Sequence, residues 1–482
     1  MRSLGAKSFA GLFGATLVAM AGCAAVDADT EETAERESVS DLEEALVGPV
    51  NARRSLVVTE QSILNKFSFQ EVMTQLVATS GTATTALGLF QQWWDTARTS
   101  PGLGAGINCN TPGVQNMNGF PYACPRAEGN QATVNPFINA GSNPDAYVPI
   151  GLFNRFDLAA ADGAHCGQYR VVFAKRSGIT NPQARNFLNF EAVLLNPTPA
   201  AGLEGCRPVA EFWANLSADP NAGSRGDKLK QFYFTGLPGF MPVLHIDNMG
   251  ARASNTGQVR TNQFMQPTWL LREFSIQRDC SAGPCLARFV PDTVKGNPGG
   301  SLFNPGSSHA LASEFQTSIF PEQVASLAMS DINLLGMDIP DAMNSGQSNA
   351  QGPENHYLNQ FGPGPSQLRS NIQGELAAIG SPLMPEHIVG RAMALSCAGC
   401  HQLSNNANLG GGMIWPPSLG FVHISEQTEP GPDGPRFRIS PALVNVFIPH
   451  RRAIFETFLN DSCGDGVCNP WETKSVCSTD CP

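Results

Sequence analysis

Charged side chains are scarce in this sequence, and basic ones are the scarcer kind. Only 15% of the 482 residues are charged, whereas about a quarter is usual for globular proteins. Lys and Arg together number 30, against 41 Asp and Glu. Because the basic residues form no patch of the kind that binds phosphate backbones, we expect no nucleic-acid partner.

Several familiar catalytic patterns are also missing. The sequence contains no nucleophile elbow, no H-E-x-x-H zinc-binding helix and no phosphate-binding loop. The apolar stretch at residues 9–20 is shorter than the roughly 20 residues that a membrane-spanning helix needs. These absences exclude the common signatures of serine hydrolases, metalloproteases and nucleotide-binding enzymes.

The amino terminus has the order of a secretory signal. Basic residues precede the apolar residues 9–20, and small residues stand directly before Cys23. This segment resembles the lipobox of bacterial lipoproteins, although Met20 stands where Leu is commoner. The resemblance implies a lipoprotein signal peptide at residues 1–22 and a lipid on Cys23. The alternative is an ordinary secretory signal, which also exports the chain.

A strongly acidic segment follows Cys23. Residues 24–48 hold nine acids and one base and so carry most of the net charge of −11. Such a segment buries too little apolar surface to fold, and we expect residues 23–48 to be a disordered tether. Ala24 stands where an Asp often signals inner-membrane retention in the lipoprotein family. The resemblance therefore implies an outer-membrane lipoprotein, at the periplasmic or the cell-surface face.

Residues 49–380 are expected to form a mixed α and β body of unknown topology, which resembles no family of known activity. Strand-like runs occur at 169–174, 187–195, 232–234 and 269–276. Helical periodicity occurs at 64–76 and again at 368–379. The second run follows Ser366, a residue type that is favoured at the N-cap of a helix. The polar stretch 154–157 is a weaker candidate site, because Asp and Arg in loops more often stabilise turns.

The cysteines support an oxidising compartment. Of 13 cysteines, ten remain when Cys23, Cys397 and Cys400 are set aside. In an exported chain we expect them to form disulfides between neighbours, although sequence alone does not determine connectivity. The ten are Cys109, Cys124, Cys166, Cys206, Cys280, Cys285, Cys463, Cys468, Cys477 and Cys481.

The central motif is C-x-x-C-H, formed by Cys397, Cys400 and His401. In this pattern two thiols bind the vinyl groups of haem while the histidine ligates the iron. One short turn has to present both sulfurs to the same edge of the porphyrin, and Gly399 permits that path. The motif therefore predicts covalently attached haem c.

The C-x-x-C-H pattern also occurs in a redox motif, in a zinc site and in a plain disulfide. In a thioredoxin-like redox motif the first cysteine begins a helix, whereas here the preceding residues 385–395 have a helical pattern that ends at the motif. A zinc site would need His423 or His387 to complete its four ligands. A disulfide between Cys397 and Cys400 is strained at such short spacing. Haem is the interpretation that we favour.

Residues 381–461 resemble a small all-α c-type cytochrome domain, on the strength of the motif, the helix before it and a final helix near Ser440. The resemblance implies a proximal ligand at His401 and a distal ligand from the following loop. Met413 and His423 are the main candidates for the distal ligand, with His450 or an open position as alternatives. Two protein ligands favour electron transfer, and an open position favours small-ligand chemistry.

Residues 462–482 are expected to form a separate disulfide-rich knot. They resemble a short repeat, C-G-D-G-x-C followed by Glu and further cysteines, that occurs at the ends of exported bacterial proteins. Asp465, Glu472 and Asp480 are candidate ligands for calcium, because that ion prefers hard oxygen ligands. Two disulfides alone are the simpler explanation for so short a unit.

Two main classes of function follow from the sequence. The first is an exported c-type haem-binding lipoprotein that transfers electrons at the cell envelope, with an unknown redox partner. The second is a cell-surface binding or scaffold lipoprotein in which haem is accessory or absent. A narrower alternative is a haem-dependent peroxidase or oxidase. We favour electron transfer over enzymatic activity.

Overall fold

Helices and strands are interspersed along the whole described chain. The computed structural model describes residues 49–99, 106–250, 257–281 and 283–460. The helices are α1 (Ala52–Ser55), α2 (Gln61–Leu64), α3 (Phe69–Ser80), α4 (Ala86–Asp95), α5 (Arg207–Ala218), α6 (Ala222–Phe234), α7 (Ala312–Glu314), α8 (Val324–Leu327), α9 (Tyr357–Phe361), α10 (Gln367–Ala378), α11 (Pro385–Leu395) and α12 (Ile448–Asn460). The strands are β1 (Val57–Val58), β2 (Asn116–Met117), β3 (Phe120–Pro121), β4 (Tyr147–Arg155), β5 (His165–Lys175), β6 (Asn186–Leu195), β7 (Gln258–Gln263), β8 (Leu270–Asp279), β9 (Leu286–Asp292), β10 (Gln347–Asn349), β11 (Ile424–Glu429) and β12 (Arg436–Ile439).

One large antiparallel sheet organises the molecule. Its strand order is β1-β4-β5-β6-β7-β8, and β9 and β10 both pair with the far edge of β8. Every neighbouring pair in it is antiparallel. Two further antiparallel pairs, β2–β3 and β11–β12, lie outside this sheet. The expectation of a mixed α and β body is therefore confirmed.

One face of the large sheet forms the main hydrophobic core. Because successive side chains of a strand point to opposite faces, Phe173 of β5 and Phe190 of β6 lie on the same side. Phe69 of α3 packs on both rings, and Trp93 of α4 packs edge-on against Phe190. All four side chains are buried. Helices thus cover this face completely at its centre and exclude water from it.

The opposite face of the sheet carries charged side chains. Arg170 of β5, Glu191 of β6 and Arg260 of β7 alternate with the apolar core residues of the same strands. The segment after residue 380 lies against this face, and the two together enclose a cavity. The charged face of the sheet is therefore inside the molecule rather than in contact with bulk solvent.

The structure differs from the expectation of a small all-α domain at 381–461. The described part of that range contains α11 and α12 but also the β11–β12 hairpin. Ile424 and Phe437 of the hairpin and Phe455 of α12 belong to the same apolar cluster as the sheet core. No small all-α domain is visible among these residues, because many of their apolar side chains are buried against the body.

The cysteine pairs follow the expectation where the structure describes them. Disulfides join Cys109 to Cys124, Cys166 to Cys206 and Cys280 to Cys285. These are the nearest neighbours in sequence. The other four of the ten cysteines, at positions 463, 468, 477 and 481, lie outside the described residues.

Local predictions of helices and strands were mostly confirmed. Ser366 caps α10, and its hydroxyl accepts a hydrogen bond from the Arg369 amide at 3.1 Å. The prediction of a strand at 232–234 was wrong, because these residues end α6. Leu229, Phe232 and Tyr233 bury one face of that helix at the spacing of three and four that helices require.

The final helix continues through Pro449, although proline usually interrupts a helix. The π-helical turn Leu443–Phe447 runs directly into α12, and the Ile448 amide bonds to the Leu443 carbonyl. The wider π-helical turn accommodates the proline, which has no backbone amide hydrogen to donate to a helix carbonyl. Within the described ranges, no helix combines the length and the apolar character that crossing a membrane requires.

Candidate functional site

Two helical segments meet at the C-x-x-C-H motif. α11 ends at Leu395, and Cys397 opens a helical turn that continues as the π-helical turn Gly399–Leu403. Between them, the Ser396 hydroxyl donates to the Met393 carbonyl at 2.7 Å and accepts from the Gly399 amide at 3.1 Å. These bonds satisfy backbone groups at the end of one helix and at the start of the next.

Gly399 is required by close packing. A Cβ atom at this position would overlap the carbonyl oxygen of Met393. The expectation that the motif needs a glycine for its tight path is therefore confirmed. The reason is the approach of two backbone segments, which leaves no space for a side chain.

His401 presents one ring nitrogen for coordination. Its Nδ1 lies 2.7 Å from the carbonyl oxygen of Phe421, and because that oxygen can only accept, Nδ1 carries the proton. Nε2 is then the nitrogen with a free lone pair, which is the usual arrangement of a metal-binding histidine. Burial lowers the pKa of His401 to about 4, so the ring is neutral at physiological pH.

Both thiols of the motif are free and half-buried. Burial raises the pKa of Cys397 to about 11 and that of Cys400 to about 12. Cys397 does begin a helical turn, contrary to the expectation that the cysteines only end a helix. However, a redox motif of the thioredoxin kind needs a thiol with a lowered pKa, and the shift here has the opposite direction.

His423 lies beside the motif rather than facing solvent. Its Nε2 is 3.3 Å from Cys400 Sγ, and its Nδ1 is 2.8 Å from the Ser440 hydroxyl. Its ring centre is 4.8 Å from that of His401. Burial lowers the pKa of His423 well below its usual value, and the neighbouring His401 adds to this. The structure thus gathers two thiols and two neutral imidazoles.

These groups border a cavity of about 460 Å³ between the charged face of the sheet and the segment after residue 380. Its volume lies in the range of about 300–1,000 Å³ that is typical of small-molecule and cofactor sites. The lining includes Cys397, Cys400, His401, His423, His450, Trp415 and Arg451 on one side and Arg155, Asp157, Arg170, Glu191 and Arg260 on the other. The cavity is therefore partly apolar and partly strongly charged.

A row of charged side chains crosses the sheet beneath the cavity, and we call it the charged row. It consists of Arg155, Asp157, Arg170, Glu191, Arg260 and Glu273, with ion-pair distances of 2.8 Å (Arg155–Asp157), 3.4 Å (Arg170–Glu191), 3.3 Å (Glu191–Arg260) and 2.9 Å (Arg260–Glu273). Strand register creates it, because Arg170 lies directly opposite Glu191 and Arg260 directly opposite Glu273.

Burial and these ion pairs together determine the pKa values of the acids in the charged row. Burial alone would raise the pKa of Glu191, but Arg170 and Arg260 more than offset it and the pKa falls below the usual value. Glu273 is different, because burial raises its pKa above the usual value despite Arg260. The arginines are thus held in a largely dehydrated environment.

Three polar atoms of the cavity lining are buried without a hydrogen-bond partner in the protein. They are Nε of Arg170, Oδ1 of Asn189 and the indole Nε1 of Trp415. Buried polar groups are rarely left in this state, and each such case calls for a missing water or ligand.

A zinc site is not supported. Among the described residues there is no group of three or more His, Cys, Asp or Glu side chains arranged to hold a metal ion. His387, one of the two histidines considered for such a site, instead accepts a hydrogen bond from the Met384 amide at the start of α11. A haem needs fewer protein ligands, because the porphyrin supplies four nitrogens.

The other predicted distal ligands have different positions. Met413 is 9% exposed and packs in an apolar cluster with Leu409 and Trp415, away from the cavity lining. His450, at the start of α12, is part of that lining. The predicted lipid site Cys23 and the predicted calcium ligands Asp465, Glu472 and Asp480 lie outside the described residues.

Several lining residues were missed by sequence reasoning. Arg170, Glu191, Arg260 and Arg451 were not considered, and Arg155 with Asp157 was considered only as part of a weaker polar stretch. A signal was present, because β5, β6 and β7 each carry a charged residue with a neutral polar residue two positions away, and this alternation indicates a second, polar face. Nothing in the sequence showed which segment would cover that face.

Comparison with known proteins adds no family to this geometry. No protein-family model, no curated protein and no solved structure matches the chain. The likeness to c-type cytochromes and to bacterial lipoproteins therefore depends on the short motifs alone.

Proposed function

We propose that this chain is an exported c-type haem protein whose haem occupies the cavity beside Cys397, Cys400 and His401. The observation that carries the proposal is the state of His401, a neutral imidazole whose Nδ1 donates to the Phe421 carbonyl and whose Nε2 is available. Two free thiols lie next to it at the same cavity. This combination supplies the three groups that haem c requires from a protein.

The free state of both thiols matters for attachment. Each cysteine adds across one vinyl double bond, so that its sulfur bonds to the inner carbon and its hydrogen passes to the outer carbon. The addition consumes no oxidant or reductant, but it requires that Cys397 and Cys400 are not joined to each other. The raised pKa values of both thiols keep them mainly protonated in the folded chain, whereas the thiolate is the form that reacts with oxidants.

A haem held here would supply a one-electron couple at iron, and the protein would set its potential. The segment before the described residues supports a location at the cell envelope, through the export signal and the lipid expected on Cys23. We accordingly propose electron transfer at the outer membrane, with the large sheet forming one wall of the haem site.

The test is haem staining on a denaturing gel of the full chain, expressed in a bacterial periplasm that contains the haem-attachment machinery. We expect the wild type to stain, and Cys397→Ala and Cys400→Ala together to abolish the stain. The matched control is the double variant Cys280→Ala and Cys285→Ala, which removes a disulfide outside the cavity lining and should still stain. A wild-type chain without covalent haem would contradict the proposal and favour a scaffold function.

A second candidate function, small-ligand chemistry at the iron, is favoured by the positions of the proposed distal ligands. Two imidazoles on opposite sides of one metal would need ring centres about 6 Å apart, because each metal–nitrogen bond is about 2 Å long and each ring centre lies about 1 Å behind its nitrogen. The rings of His401 and His423 are 4.8 Å apart, and Met413 does not line the cavity. His450 or an open position is then the better candidate.

Absorption spectra distinguish the two functions. If a protein ligand occupies the distal position, carbon monoxide or azide should leave the spectrum of the haem-loaded protein unchanged, and one of Met413→Ala, His423→Ala or His450→Ala should make it responsive. If the position is open, the wild type itself should respond. The second outcome would replace electron transfer by peroxidase-type or oxidase-type chemistry as the leading function.

A further inference from the structure

The cavity lining carries more positive than negative charge. Four arginines border it, at positions 155, 170, 260 and 451, but only two acids, Asp157 and Glu191, do so. Each arginine side chain is at most 20% exposed. A buried cation that lacks its full complement of anions is costly, because water no longer solvates it.

The acids of the lining are already shared between two cations each. Asp157 lies 2.8 Å from Arg155 and 3.8 Å from Arg451. Glu191 lies 3.4 Å from Arg170 and 3.3 Å from Arg260. Each pair of arginines therefore has one anion between them and an excess of one positive charge.

Glu273 does not remove this excess. It contacts Arg260 at 2.9 Å, but it also lies 3.8 Å from Lys295. Its single negative charge is thus matched by a further cation. When Arg451 and Lys295 are added to the charged row, five cations stand against three acids, which leaves an excess of two positive charges.

The pKa values of the two arginines around Glu191 are shifted in opposite directions. Burial lowers the pKa of Arg170 to about 10, against the attraction of Glu191, whereas Glu191 and Glu273 together raise the pKa of Arg260 despite its burial. The Nε of Arg170 and the indole Nε1 of Trp415, which is 2% exposed, are buried donors without partners. Anionic oxygen atoms in the cavity would balance the excess positive charge of both arginine pairs.

We propose that the arginine-rich wall of the cavity binds carboxylates, one at Arg155 and Arg451 and one at Arg170 and Arg260, and that these carboxylates are the two propionates of haem. The inference rests on the proposed function above. A guanidinium matches a carboxylate in shape and binds it through two parallel hydrogen bonds. Two carboxylates also equal the excess of two positive charges.

Haem is favoured over a free dicarboxylate because the same cavity holds the attachment thiols and apolar side chains for a macrocycle. Vinyl groups and propionates occupy opposite edges of a porphyrin. Apolar residues that border the same cavity include Val172, Phe187 and Leu271. A small free dicarboxylate would leave these apolar surfaces uncovered.

The experiment measures the midpoint potential of the haem-loaded full chain between pH 5 and pH 9. In the wild type, paired propionates should stay ionised and the potential should not depend on pH over this range. Arg170→Gln and Arg451→Gln should each lower the potential, because removing a positive charge favours the oxidised iron. Each variant should also make the potential pH-dependent, because an unpaired propionate takes up a proton within this range.

The matched control is Arg452→Gln, at the next position on α12. Arg452 is 45% exposed and pairs with Glu456, so its removal should change neither the potential nor its pH dependence. If a glutamine variant fails to fold, Arg170→Lys and Arg451→Lys keep the charge but lose the paired hydrogen bonds, and they should still show the pH dependence.

The outcomes separate this inference from the proposed function. A wild type without covalent haem contradicts both. A haem-loaded protein whose potential and pH dependence are the same in all variants contradicts the carboxylate wall alone. A shift of the wild-type spectrum or potential on addition of succinate, lost in Arg170→Gln, would show that a free carboxylate occupies the wall and would overturn the assignment to propionates.

Discussion

Replacement of Glu191 by Gln tests whether the charged row contributes to stability. Glu191 is 1% exposed and lies between Arg170 at 3.4 Å and Arg260 at 3.3 Å. Its carboxylate also accepts a hydrogen bond from the Gln258 amide at 2.6 Å. The substitution Glu191→Gln keeps the shape and part of the hydrogen bonding but removes the negative charge.

The expected loss of stability depends on which interaction partners Arg170 and Arg260 retain in Glu191→Gln. Removing one partner of a buried ion pair costs about 3–5 kcal/mol, because the remaining charge is buried without compensation. Arg260 retains Glu273 at 2.9 Å, whereas Arg170 keeps a hydrogen bond to the Gln168 side chain at 2.7 Å and the attraction of Asp157. The loss should therefore be near the lower end, about 3 kcal/mol.

Urea unfolding of the full chain measures this effect, with Cys397→Ala and Cys400→Ala as the common background so that haem does not contribute. The matched control is Glu429→Gln, whose carboxylate is 34% exposed and pairs with Arg436 at 2.9 Å. An exposed pair contributes about 0–1 kcal/mol. If Glu191→Gln loses no more stability than Glu429→Gln, the buried row does not stabilise the fold as we argue.

The difference in the free energy of unfolding between wild type and Glu191→Gln should also depend on pH, with a definite sign. The pKa of Glu191 is lower in the folded protein than its ordinary value of 4.5, because the two arginines outweigh burial. Its contribution is fully present above the pKa of the unfolded chain and is lost as the pH falls through the folded pKa. The gap between wild type and Glu191→Gln should thus be constant above about pH 5 and should narrow below about pH 4.

Three further predictions concern glycines and thiols. Gly399→Ala should destabilise the chain by about 1–3 kcal/mol in urea unfolding and reduce haem staining, since the new methyl group overlaps the Met393 carbonyl; normal staining would contradict this. Gly374→Ala, at an exposed helical position with no neighbour within 4 Å, should instead stabilise it by about 0.5–1 kcal/mol. In the haem-free wild type, iodoacetamide should alkylate Cys397 and Cys400 slowly at pH 8 and faster up to pH 10 and beyond, because their pKa values are about 11 and 12; rapid labelling at pH 7 would indicate a redox motif.

Features that depend on neighbouring residues were predictable from the sequence. The helix over residues 385–395 begins with Pro385 and ends at the motif, as its apolar spacing indicated. The cap at Ser366 and the pairing of neighbouring cysteines were correct for the same reason. For the helix, the cap and two of the disulfides, the interacting groups are close along the chain, so that few alternative partners compete. Cys166 and Cys206 are 40 residues apart, and their pairing was predicted only from the order of the cysteines in the sequence.

Features that depend on what covers a surface were not predictable. Residues 232–234 have the aromatic composition of a strand, yet α6 buries them at helical spacing. The segment 381–461 has the motif and helices of a small cytochrome domain, yet its apolar side chains pack with the body. Composition and periodicity indicate which side chains will be buried but not against which partner.

The C-x-x-C-H motif illustrates both cases. Its chemistry, two thiols and an imidazole at a fixed spacing, is a property of five consecutive residues, and the sequence alone determined it. The surroundings that make the chemistry usable come from distant parts of the chain, namely the Phe421 carbonyl on His401 and the arginines on β4, β5, β7 and α12. Strand register and the packing of the last segment bring these groups together, so only the tertiary structure decided how the cavity is charged.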